Sequence, residues 1–297
     1  MVSQLGTWAV DIHSWDPPQA QWKSLVDALD LESQKDVTSY RHMIDSKRCL
    51  VGKLLVRAIV FELYGLNPTS LKFSRTELGR PYMSSQLPNH AYFDYNISHD
   101  SDLIVCGYIA TFEASQFLQK IGVDVMQLKL PRGEQSIETF AEMLSESLTG
   151  TENDLIRQPS SSPSGRTTDE ILLDHLLQLW TLKESVVKAM GVGLSRELTT
   201  INFSALPPSN QSFFVYSEPT IMKMEQQVDI KFSVDGKVCE GWSIWNTILH
   251  LPREIALDRY VLSVAVQFGK GADSDGTCIH GVNFKPIEEL VTASLRK

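Results

Sequence analysis

The chain has 297 residues, 42% of them hydrophobic, with 27 basic and 36 acidic side chains and a formal charge of −9. That length supports one large domain or two of roughly 100–150 residues, each with its own core. An acidic balance of this size argues against a surface built to bind nucleic acid or an anionic membrane. The charge is unevenly spread, however. Residues 35–80 carry nine Lys/Arg against four acids, a local +5 that leaves −14 elsewhere. Such a segment suits a small polyanion better than a long one. The N-terminal stretch holds Asp11 and no cationic region ahead of an apolar run, which does not read as a secretory signal. Cys49, Cys106, Cys239 and Cys278 stand alone without a C-x-x-C pair. They read as small buried hydrophobes in a reducing, cytoplasmic setting.

In chain order, the first strong periodicity predicts a helix over 45–64, with Leu50, Leu54, Val56, Ile59, Val60 and Leu63 as apolar stripes and Gly65 as its stop. A strand-like segment at 71–74 ends in Phe73-Ser74. Next come Arg75 and Arg80, two cations bracketing a turn at Gly79. Asn96-Ile97-Ser98-His99 reads as a strand-to-strand turn before an apolar strand at 103–110, and such a turn can hold a phosphate. That strand is the longest strongly apolar stretch and is too short to span a bilayer. A Ser98–His99 nucleophile pair is disfavoured, because neighbours on a strand face opposite ways and no G-x-S-x-G elbow is present. Residues 120–128 alternate, Ile121, Val123 and Val125 against Gly122, Asp124 and Met126. The polar, Ser/Pro-rich stretch 157–169 reads as a mobile loop. A second long helix is predicted over 169–190, stopped by Gly191. It is followed by a strand-like echo at 201–204 that again ends in Phe-Ser, then by strands at 242–249 and 260–268. A helix followed by strands, twice over, predicts an α+β fold of two similar halves related by a pseudo-two-fold, with a ligand cleft between them. The halves are 1–120 and 121–268, and 269–297 reads as a polar tail that adds little to the core.

At 100° per residue, Leu172, Leu179, Leu182, Val186, Ala189 and Met190 form the core stripe of the second helix, and Trp180, Lys183, Glu184, Val187 and Lys188 fall roughly opposite. That opposite face reads either as solvated, with a Glu184–Lys188 pair, or as a ligand face, since a tryptophan there wants a partner surface. Asp124 is an acid within an apolar strand, costly to bury unless neutralised. It is either a structural acid at a strand end or, with Glu184, one of two hard oxygen ligands suited to Mg²⁺ completed by water and phosphate.

These motifs, in this order, resemble the 4′-phosphopantetheinyl transferases of the surfactin-synthetase-activating type. The likeness rests on Leu78-Gly79-Arg80-Pro81-Tyr82, on Phe93 to His99, on Gly122-Val123-Asp124-Val125, and above all on Trp180-Thr181-Leu182-Lys183-Glu184-Ser185 with Lys188, Gly191 and Gly193. Asp124-Val125-Met126 resembles the stand-alone eukaryotic enzymes of the aminoadipate-semialdehyde dehydrogenase type, with methionine where bacterial relatives carry a third metal-binding acid. The resemblance implies a holo-acyl-carrier-protein synthase reaction, in which the phosphopantetheine arm of coenzyme A passes to a serine of an apo acyl or peptidyl carrier protein. It implies Mg²⁺ on Asp124 and Glu184, and CoA contacts from Arg75, Arg80, Asn96, Ser98, His99, Asp124, Glu184 and Lys188. It also implies a catalytic group of Glu184, Lys188 and Lys183, with Glu152 matching a further acid more loosely. Carrier domains of fatty-acid synthase and aminoadipate-semialdehyde dehydrogenase are the implied partners of a cytoplasmic monomer that binds neither nucleic acid nor membrane. A non-catalytic module that binds CoA or carrier protein, and a different Mg²⁺-dependent nucleotide-using transferase, are the alternatives.

Overall fold

The computed structural model describes residues 4–113, 119–131, 133–134, 136–157, 167–206, 212–214, 220–222, 230–269 and 279–295. The first half contains β1 (Gln4–Asp11), α1 (Gln19–Asp27), α2 (Leu31–Thr38), α3 (Met43–Tyr64), β2 (Phe73–Arg75), β3 (Pro81–Met83), β4 (Phe93–Asp100) and β5 (Leu103–Ala110). There follow β6 (Lys120–Gln127), α4 (Ile137–Ser145), α5 (Gly150–Arg157), α6 (Thr168–Met190), β7 (Ile201–Phe203), β8 (Ser212–Phe214) and β9 (Thr220–Met222). The chain continues through β10 (Phe232–Val234), β11 (Lys237–Val238), β12 (Trp242–Pro252), β13 (Leu257–Gln267), β14 (Ile279–Phe284) and α7 (Ile287–Ser294).

Two large sheets organise the molecule, one ordered β4-β5-β1-β14-β9 and the other β6-β13-β12-β8. Alternation along their strands gives each sheet two apolar faces. The inner faces meet in one core, where Val105, Ile109, Ile121, Val123, Leu262 and Val264 pack together. The outer face of the first sheet takes α3, with Leu50, Leu54 and Ile59 against Ile104 and Cys106. The outer face of the second takes α6, with Leu182, Val186 and Ala189 against Val261 and Ala265. The fold is therefore α+β, as expected, with one long helix on each sheet. Both predicted helix stops hold: Gly65 (φ 66°) and Gly191 (φ 72°) close their helices in the left-handed conformation.

The sheets also meet edge to edge through side chains. Along β4 every second residue is polar, and each takes one backbone N–H from the edge of β6. Asp94 accepts from Ile121 at 2.9 Å, Asn96 from Val123 at 2.9 Å, Ser98 from Val125 at 3.3 Å and Asp100 from Gln127 at 2.6 Å. The ladder satisfies edge groups that would otherwise be orphaned inside the protein. On its other face β6 lies so close to α6 that a Cβ at Gly122 would sit 2.0 Å from the Ser185 carbonyl oxygen. Glycine is required at that position by contact alone.

Two expectations are corrected. Residues 93–100 run as a continuous strand, so Asn96–His99 is no turn; the turn lies at Ser101 and Asp102. The chain after Phe268 is part of the core. β14 pairs in parallel with β1, and α7 packs with α3, burying Val282, Phe284, Ile287 and Leu290. Gly271, Asp273 and their polar neighbours masked that later apolar pattern. Most of the predicted 157–169 loop lies outside the described residues.

Candidate functional site

A cavity of about 390 Å³ opens beside the seam between the sheets, lined by residues of β4, β6 and α6. Alternation on β6 turns Asp124 away from the inner core and towards α6. Helical spacing puts Glu184 and Lys188 one turn apart on the facing side. All three line the cavity, and Lys188 Nζ donates to Asp124 Oδ1 at 2.6 Å and to Ser98 Oγ at 3.1 Å, while Ser98 Oγ donates to Asp124 Oδ1 at 2.9 Å. Burial pushes the Glu184 carboxyl up from its ordinary range, the charge of Asp124 adds to this, and Lys188 opposes it. Trp180 and Met126 supply the apolar lining, so Trp180, Glu184 and Lys188 line a cavity instead of a plain solvated face. Among the described residues no group of three or more His, Cys, Asp or Glu could hold a metal. Two carboxylates in one cavity, one of them raised by the other's charge, nevertheless fit a hard cation whose remaining ligands are water and phosphate oxygens.

A second cavity, about 290 Å³, adjoins the first and shares Ile97 and His99 with it. It lies between α2, α3 and β2, and its cations are Arg48, Lys53, Arg57 and Arg75. Each already holds an acid: Arg48 pairs with Asp45 at 2.8 Å, Lys53 and Arg75 with Asp36 at 2.7 and 3.0 Å, and Arg57 with Asp30. The local +5 already counts Asp36 and Asp45; acids from outside the segment, Asp30 on Arg57, Asp16 on Lys47 and Asp94 on Arg80, offset three of its charges. Phe73 stacks on the Arg57 guanidinium, 4.4 Å from ring centre to carbon. Burial, together with the charges of Arg48 and Lys188, holds the His99 imidazole below its ordinary pKa, which favours the neutral ring at pH 7.

Arg75, Ser98, His99, Asp124, Glu184 and Lys188 therefore gather around two joined cavities. Three other expected residues do not. Lys183 is fully buried and pairs at 2.5 Å with Glu152, itself fully buried, while donating to the carbonyls of Ser147 and Leu198. The α4–α5 region covers the face that periodicity alone assigns to solvent, so Lys183 cannot reach the cleft. Asn96 is spent on the Val123 N–H. Arg80 bridges the seam, donating to Asp94 at 2.8 Å and to the carbonyls of Tyr95 and Ile121, with 8% of its side chain exposed. It lines neither of the two cavities. Arg48 and Lys53 are not picked out by any sequence motif. Arg48, Gly52 and Val56, with Cys49 and Lys53 beside them, fall on one face of α3, and that spacing was the available signal.

Residues 13–110 match the family model described as 4′-phosphopantetheinyl transferase, N-terminal, and residues 120–244 the one described as 4′-phosphopantetheinyl transferase superfamily. The chain belongs to this superfamily. A phosphopantetheinyl transferase of Thraustochytrium sp. is 31% identical over 201 residues, covering 66% of this chain and 64% of that protein. The L-aminoadipate-semialdehyde dehydrogenase-phosphopantetheinyl transferase of Xenopus laevis is 30% identical over 215 residues, covering 71% and 65%. A 4′-phosphopantetheinyl transferase of Paxillus involutus is 24% identical over 298 residues, covering 96% and 99%. The chain thus spans just under two thirds of the length of the first two relatives. Among the described residues no helix is long and apolar enough to cross a membrane.

Proposed function

We propose that this protein transfers the 4′-phosphopantetheine arm of coenzyme A to a serine hydroxyl of apo acyl or peptidyl carrier proteins, releasing adenosine 3′,5′-bisphosphate. The observation that carries this reading is the convergence of Asp124, Glu184 and Lys188 in one cavity that adjoins a second, cation-lined one. The second cavity takes the nucleotide end, through Arg75 and the cations of α3. The first takes the pyrophosphate.

In the transfer, the serine oxygen bonds to the phosphorus that bears the pantetheine arm, and the bond from that phosphorus to the bridging oxygen breaks. Glu184, its carboxylate made more basic by burial and by Asp124, accepts the serine proton. Lys188 lies beside Asp124 with 27% of its side chain exposed, placed to stabilise charge on the departing phosphate. Ser98 fixes both Asp124 and Lys188. Asp124 and Glu184 would hold Mg²⁺, which when bound supplies charge neutralisation on the pyrophosphate. Trp180 and Met126 give the cavity an apolar wall.

All of these groups come from one chain, which supports action as a monomer. The absence of a membrane-crossing helix among the described residues is compatible with the cytoplasm. The name of the Xenopus relative motivates carrier domains of aminoadipate-semialdehyde dehydrogenase as partners, alongside those of fatty-acid synthesis and a holo-acyl-carrier-protein synthase activity. The test is the intact mass of apo carrier proteins after incubation with enzyme, CoA and Mg²⁺. A gain equal to the phosphopantetheine arm is expected. CoA binding without any gain, across carriers of both kinds, would leave a binding module instead.

A further inference from the structure

The nucleotide cavity contains its own anion. Asp36, on α2, points one carboxylate oxygen at two cations from separate elements, Lys53 of α3 and Arg75 at the end of β2, at 2.7 and 3.0 Å. A phosphate oxygen would use the same two donors. The side chain is 30% exposed within the cavity, open to whatever enters. Burial raises the Asp36 pKa, but hydrogen bonds and charge from Lys53 and Arg75 outweigh that and leave the carboxyl below its ordinary range, ionised at neutral pH. Arg48 and Arg57, the cavity's other two such cations, are already paired with Asp45 and Asp30.

We propose that Asp36 is a specificity-determining residue that narrows discrimination between CoA and 3′-dephospho-CoA, its carboxylate standing where a nucleotide phosphate would otherwise take both Lys53 and Arg75. The inference rests on the reading of this cavity as the CoA nucleotide site. A ligand with the extra phosphate must share the two cations with Asp36 or displace it, and either cost offsets most of what that phosphate gains. The shorter ligand meets no such conflict.

Calorimetric titration of the full chain with CoA and with 3′-dephospho-CoA, repeated with adenosine 3′,5′-bisphosphate and adenosine 5′-monophosphate, isolates the effect of one phosphate. The wild-type affinity ratio within each pair is expected to stay below about tenfold. Asp36→Asn should widen it by about a further tenfold, the scale of one charge at ion-pair distance in a partly solvated site. Asp36→Ala should do the same, and serves if the asparagine variant folds poorly. A ratio that moves by less than about twofold in a folded variant, with both ligands bound, overturns the role of Asp36 and leaves the CoA reading intact. Failure of the wild type to bind any of the four overturns both.

Discussion

Two lysines five residues apart on α6 have opposite surroundings. Lys183 and Lys188 each pair with one carboxylate, at 2.5 and 2.6 Å. Five residues turn a helix through roughly 500°, so the side chains leave it about 140° apart. Lys183 enters a fully buried pocket made by α5 and the segment before β7, where its partner Glu152 also accepts the Thr149 and Phe203 N–H groups. Lys188 enters the cleft, where its partner Asp124 lines the same cavity as Glu184. The charge pair is the same in both places, and what covers it decides whether it is sealed in the fold or open to a cavity.

The comparison is broken most severely by removing Lys188 or Glu184. Glu184→Gln is expected to lower transfer by about 10²–10⁴-fold, the span of a lost general base, while CoA affinity stays within about tenfold. Carrier mass gain and calorimetry read the two separately. Lys183→Ala should instead cost about 3–5 kcal/mol of stability, because it strands a buried carboxylate. Denaturant unfolding measures this, and transfer per folded molecule should stay within about fivefold of wild type. Gly122→Ala tests the contact behind both lysines. Overpacking β6 against α6 should cost about 1–3 kcal/mol or more, with α6 displaced.

The smallest expected effect concerns pH. A carboxyl whose folded pKa is raised, as for Glu184, binds more protons folded than unfolded. Its contribution therefore falls as pH rises from the unfolded value near 4.5 through the raised folded value. Glu184→Gln should accordingly melt above wild type at pH 7.5. The difference should shrink as pH falls through the raised folded value and be lost below about 4.5, a convergence that differential scanning calorimetry resolves.

These contrasts also mark what could be read from the sequence. The long helices, their glycine stops and the alternation of β6 follow from local periodicity, and the same periodicities bring Asp124, Glu184 and Lys188 together once sheet and helix are packed. The partner of Lys183 is Glu152, 31 residues earlier on another helix. Nothing in the helical pattern tells a lysine facing solvent from one facing a buried acid. Arg80 and Asn96 lie outside both cavities for the same reason: they bond across the seam to β6, a strand whose edge position the sequence does not state. The signal there was the run Asp94, Asn96, Ser98, Asp100, polar at every second residue of a strand otherwise packed on the core. A polar row of that kind needs donors opposite it, and β6 provides them.

The most direct test of the account is the rate of carrier mass gain per folded molecule in three proteins: wild type, Lys188→Met and Lys183→Met. Full gain is expected in the wild type, near-complete loss in Lys188→Met, and near-normal gain in Lys183→Met at a temperature where it is folded. No gain in the wild type, or equal loss in both variants when folded, would contradict it.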